Sequence, residues 1–115
     1  MDSDYYISYH LPQNLVYLVA GNVTPSILQN IHTLIHLQYL SICSVGGNTP
    51  ENSLETKLPQ NLLHLELGAS AYRIKFINIP KTLISLKLLS CCSDYEHVKI
   101  FKEAKHVQIY QPNWS

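Results

Sequence analysis

One phrase in this chain is written twice. Leu11-Pro12-Gln13-Asn14-Leu15-Val16-Tyr17-Leu18 returns as Leu58-Pro59-Gln60-Asn61-Leu62-Leu63-His64-Leu65, and a looser copy runs from Ile79 to Leu86. A phrase recurring at a steady interval signals a fold built by stacking one supersecondary unit. Aligned on the pattern apolar-x-x-apolar-x-apolar, the phrase expands to five copies. These are Leu15, Leu18 and Ala20; Leu37, Leu40 and Ile42; Leu62, Leu65 and Leu67; Leu83, Leu86 and Leu88; and Ala104, Val107 and Ile109. Their starts step by 22, 25, 21 and 21 residues.

The last two apolar positions of each copy alternate, which is the period of a β-strand. The stretch of about 15 residues between copies is long enough for a parallel crossover and too long for a hairpin. Each unit therefore supplies one short parallel strand, and units stack about 4.8 Å apart. A single unit cannot bury its own leucines, whereas a stack buries them in a continuous column. Pro12, Pro59 and Pro80 sit three residues ahead of the first leucine or its equivalent. Proline fixes φ and cannot donate to a ladder, so it belongs in the turn leading into a strand. The second unit departs from this plan. Apolar residues at Ile27, Leu28, Ile31, Leu34 and Ile35 follow helical spacing behind Pro25-Ser26, which predicts one or two helical turns there.

These residues resemble leucine-rich repeats, and more narrowly the FNIP-type variant. Leu58 to Gly68 reads as that variant's L-P-x-x-L-x-x-L-x-L-G core, and Phe76-Ile77-Asn78-Ile79-Pro80 is similar to its Phe-Asn-Ile-Pro element with one residue inserted. The resemblance implies an α/β-type, right-handed solenoid of about five coils, starting near residues 11, 34, 58, 79 and 100. Parallel strands would line its concave face. The returns would be irregular or 3-10 apart from one short helix. All of 1–115 forms one domain in this reading, with 1–10 as an N-terminal cap segment and 110–115 as a C-terminal tail. Proteins of this type are known from social amoebae and large DNA viruses. The family implies a binding scaffold and supplies no catalytic residues.

Composition narrows the partners. Eight basic residues balance eight acidic ones, so the formal net charge is zero. That balance speaks against nucleic acid and against a polybasic membrane contact. No apolar run reaches the length of a membrane span. Met1-Asp2-Ser3-Asp4-Tyr5 lacks the basic-then-apolar form of a secretory signal. Cys43, Cys91 and Cys92 have no framework spacing and suit a reducing compartment. The expected location is the cytoplasm, the host's if the protein is viral.

Between the buried positions, the pattern sets two outward columns. The first runs Tyr17, Tyr39, His64, Ser85 and His106; the second runs Val19, Ser41, Glu66, Lys87 and Gln108. Tyrosine is favoured at interfaces because it is large, rigid and amphipathic, so these ten residues are the expected contact surface for a protein partner. Glu66 and Lys87 are expected to form a cross-strand ion pair. The alternative is a structural protein, a homo-oligomer assembled through edge strands at the open ends.

Reactive constellations are weak by comparison. His32 and His36 are spaced i, i+4, but no carboxylate or cysteine completes a metal motif. Cys91-Cys92 with His97 lacks the Cys-x-x-Cys spacing that zinc or redox sites use. No phosphate-binding loop or nucleophile elbow is present. No metal, cofactor or enzymatic activity is expected.

Overall fold

The computed structural model describes residues 11–45, 54–70, 74–89 and 99–110. The expected cap over 1–10, the tail beyond 110, and Cys91, Cys92 and His97 lie outside the described residues. In chain order the elements are β1 (Tyr17–Val23), α1 (Pro25–Asn30) continuing into a 3-10 turn (Ile31–Thr33), β2 (Tyr39–Val45) and β3 (Leu54–Thr56). They continue as β4 (His64–Ser70), β5 (Ile74–Phe76), β6 (Ser85–Leu88), α2 (Lys99–Glu103) and β7 (Gln108–Tyr110). Five strands form one sheet in the order β1-β2-β4-β6-β7, and every neighbouring pair is parallel. β3 and β5 form a separate parallel pair. The fold is thus of the α/β type, with a parallel main sheet and few, short helices.

One local turn leads into every strand of the main sheet. The N–H groups of Leu15, Leu62 and Leu83 donate to the carbonyls of Pro12, Pro59 and Pro80 at 3.4, 3.3 and 3.1 Å. Leu37 bonds back to Leu34, and Val107 to Ala104, in the same way. The prolines accept and need not donate, which is why they are tolerated here. Polar side chains stitch successive turns together. Asn61 Nδ2 donates to the Ile35 carbonyl at 2.7 Å, and the Thr82 hydroxyl donates to that of Leu62 at 2.8 Å. Much of the repeated phrase therefore specifies this turn.

The inward residues make two columns. Leu18, Leu40, Leu65, Leu86 and Ile109 are register partners along the sheet, as are Ala20, Ile42, Leu67 and Leu88. The central members are fully buried, while Leu18 and Ala20 on β1, the outermost of the described strands on that side, are only partly so. The core is closed from the other side by the return segments. Thr24 caps α1, its Oγ1 accepting the Ile27 N–H at 3.3 Å, and Pro25 opens the helix. α1 and its 3-10 extension bury Leu28, Ile31 and Leu34; β5 buries Ile74 and Phe76; α2 buries Phe101. Phe76 and Phe101 meet edge to face, with centroids 5.5 Å apart.

Two expectations are corrected. The returns were expected to be irregular or 3-10 apart from one helix, yet two of them carry β3 and β5, and a third carries a second helix, α2. After Phe76 the Asn78 side chain takes over from the backbone. Its Oδ1 accepts the Leu58 N–H at 2.7 Å, and its Nδ2 donates to the Leu58 carbonyl at 3.3 Å. An asparagine amide offers one donor and one acceptor side by side, as a peptide group does, so the β3–β5 ladder is extended by a side chain.

The last unit is also displaced. Ile109, expected at the third inward position, pairs with Leu86 at the second. Ala104 is not the first inward residue but the carbonyl acceptor of the turn, and Val107 takes the leading place. One residue fewer separates turn from strand here, so the outward columns shift with it.

Gly68 marks a close approach of β4 to β2. A Cβ built there would lie 2.5 Å from the Cys43 carbonyl oxygen and 2.8 Å from its Cα. The obstacle is backbone, which cannot rotate aside. Gly68→Ala should therefore force β4 from β2 and cost about 1–3 kcal/mol, the range for overpacking a tight site. Gly21→Ala is the control, because nothing lies within 4 Å of a Cβ there. Urea midpoints for the two variants check this; equal midpoints would contradict the close approach.

Candidate functional site

The outward face of the main sheet carries the residues singled out from the sequence. The first column reads Tyr17, Tyr39, His64, Ser85 and Gln108, and the second reads Val19, Ser41, Glu66, Lys87 and Tyr110. Eight of the ten expected residues stand where the pattern placed them. Gln108 is on the face but in the other column. His106 is not on a strand: it lies in the turn before β7, where its Nε2 donates to the Pro80 carbonyl at 3.1 Å. Tyr110, half-exposed, joins the face in its place. Its place just past the last apolar position, Ile109, was visible in the sequence, but its column depended on the one-residue compression of the last unit.

The two ends of this face differ in chemistry. Toward β1, Tyr17 and Tyr39 stack with centroids 4.4 Å apart and planes 7° from parallel. Parallel register brings the two rings over each other, and such a pair adds about 0.5–1.5 kcal/mol beyond its buried area. Tyr17 is 61% exposed and Val19 58%, so this end is an aromatic and aliphatic shelf open to solvent. Toward β7 the face sinks into an open depression of about 490 Å³, lined by Tyr39, His64, Leu65, Glu66, Ser85, Lys87 and Tyr110, where polar groups are set in a largely apolar surface.

Hydrogen bonds fix the lining. His64 Nδ1 and Ser85 Oγ share one at 2.8 Å. Ser41, itself buried, donates to Glu66 Oε1 at 3.3 Å. Hydrogen bonding to the same carboxylate, then burial, then its negative charge push the pKa of the neighbouring Tyr39 well above the usual tyrosine value. The Ser41 hydroxyl holds Glu66 toward β2. This corrects the expected ion pair: Glu66 and Lys87 stand opposite each other in register, but the carboxylate is turned away to the Ser41 hydroxyl of the other neighbouring strand.

The remaining candidates do not converge. His32 lies in the 3-10 turn and His36 in the turn leading to β2, both exposed, so they do not share a helical face. Cys43 is a free, exposed thiol. Among the described residues no three of His, Cys, Asp and Glu gather where a metal ion would sit. Among them, too, no helix is long and apolar enough to cross a membrane. No family model matches the chain, and no curated protein or solved structure matches it significantly.

Proposed function

We propose that the protein is a non-catalytic interaction module that binds a protein partner through the outward face of its parallel sheet. The observation that carries this reading is the stacked Tyr17–Tyr39 shelf, its Tyr17 edge open to solvent, beside the open depression. Large rigid rings next to hydrogen-bonding groups are what protein interfaces use at their centres. The finer fold belongs to the same proposal. The chain is a short right-handed leucine-rich-repeat solenoid of the FNIP-like kind, with this face concave, working in the cytoplasm as an adaptor of viral or amoebal type. The repeated lead-in turns and inward leucine columns support it.

Replacing both rings tests the face directly. Tyr17→Ala with Tyr39→Ala should weaken partner binding at least about a hundredfold, since central aromatic anchors contribute about 2 kcal/mol or more each. The core lies behind these residues, so the circular dichroism spectrum should be unchanged. Undiminished binding by the folded double variant would remove the shelf from the interface.

A second reading is self-association through the end of the sheet. It is favoured by the exposure at β1, where Val16 and Val19 are open and Leu18 and Ala20 are less buried than their register partners. Light scattering after size exclusion distinguishes the two. The partner-binding reading expects a 13.1 kDa species at high concentration, and a concentration-dependent dimer would favour assembly instead.

A further inference from the structure

We propose that the segment bound on this face is an extended peptide bearing an apolar side chain and an acidic side chain four residues apart, seated on Tyr17–Val19 and on Lys87 respectively. The inference rests on the binding role proposed for the face and specifies the chemistry and spacing of its occupant.

Charge decides which sign is recognised. Glu66 is already engaged from within, its carboxylate drawn toward β2 by the Ser41 hydroxyl at 3.3 Å, with the Tyr39 phenol beside it. Lys87 is exposed, and among the described residues its ammonium has no ion-pair partner although Glu66 is its register neighbour. An incoming group therefore meets a cation without a direct ion pair beside an internally hydrogen-bonded anion. A carboxylate gains at Lys87, while a cation there is repelled. Because Glu66 occupies the β2 side, the visiting carboxylate is confined to the β6 side, over Lys87.

Geometry sets the spacing. The depression runs across the strands, its lining drawn from β2, β4, β6 and β7. From β1 to β6 there are three strand intervals, about 14 Å at about 4.8 Å each. An extended peptide advances about 3.3 Å per residue, so four residues cover that distance. Residues i and i+4 of an extended chain also point to the same side. A separation of two falls short of β4, and six overshoots β6.

The test is selection of a phage-displayed dodecapeptide library against the full 115-residue chain, with Lys87→Glu and Tyr17→Ala/Tyr39→Ala proteins in parallel. The wild-type chain should enrich peptides with an apolar and an acidic residue four apart, in either direction. Those peptides should bind Lys87→Glu at least about tenfold more weakly, as reversal of an interfacial charge predicts, and Lys87→Glu should itself enrich Lys or Arg at that spacing. Peptides without the acidic residue, or with another spacing, or indifferent to Lys87→Glu, would overturn this inference. If they still required Tyr17 and Tyr39, the binding role of the face would stand. No enrichment, or indifference to both variants, would overturn the two together.

Discussion

Leu65→Asp should leave the chain unfolded at neutral pH. Leu65 is fully buried at the middle of the inward column, with Leu40 and Leu86, also fully buried, as its register partners on either side. Removing its side chain from the core forfeits about 1.5–3 kcal/mol of burial. The aspartate that replaces it has no cation within the leucine column, and an unpaired buried carboxylate costs several kcal/mol more. The sum reaches the whole stability of an ordinary domain, about 5–15 kcal/mol. Far-UV circular dichroism should show a coil and a protease should digest the variant rapidly. Ile84→Asp, at a position 49% exposed just before β6, should stay folded. A folded Leu65→Asp would displace Leu65 from the centre of the core.

Phe101→Ala should have the next largest effect. α2 is five residues long, far below the length at which a helix is stable alone. What holds it is Phe101, fully buried and set edge to face against Phe76 of β5. Truncating a buried phenylalanine to alanine costs about 3–5 kcal/mol, and the loss would fall at the end of the sheet. β7 is only three residues long and pairs with β6 alone among the described strands. Urea denaturation should register that loss, and hydrogen exchange at Gln108–Tyr110 should accelerate more than at Leu65. Phe101→Leu should recover much of it. A stability loss under about 1 kcal/mol would mean that α2 does not clamp this end.

The inward leucines were legible because burial selects for them in every strand of the main sheet. Leu40, Leu65 and Leu86 could be aligned by eye, and their outward neighbours Tyr39, His64 and Ser85 followed from strand alternation. The last unit misled for a physical reason. Val107 leads its turn as Leu83 does, but the strand begins one residue sooner, so Ala104, Val107 and Ile109 satisfied the apolar spacing in the wrong frame. β3 and β5 escaped because three residues carry too little periodicity to stand apart from a loop. Their pairing is specified by long-range contact and by the Asn78 amide, 20 residues from its partner Leu58. On the face, the sequence suggested that Glu66 would meet Lys87. Only the side-chain rotation imposed by Ser41 reveals the opposite.

Recognition on the outward sheet face is the proposal from which the other readings follow. It is tested most directly by affinity capture with quantitative mass spectrometry, comparing the wild-type chain, Tyr17→Ala/Tyr39→Ala, and Glu55→Ala/Lys75→Ala. Glu55 and Lys75 are exposed register partners on β3 and β5, within the return layer. A partner retained by the wild type and the return-layer variant but lost from the tyrosine variant is the predicted result. A partner that stays with the tyrosine variant and leaves the return-layer variant would place recognition on the opposite side and contradict it.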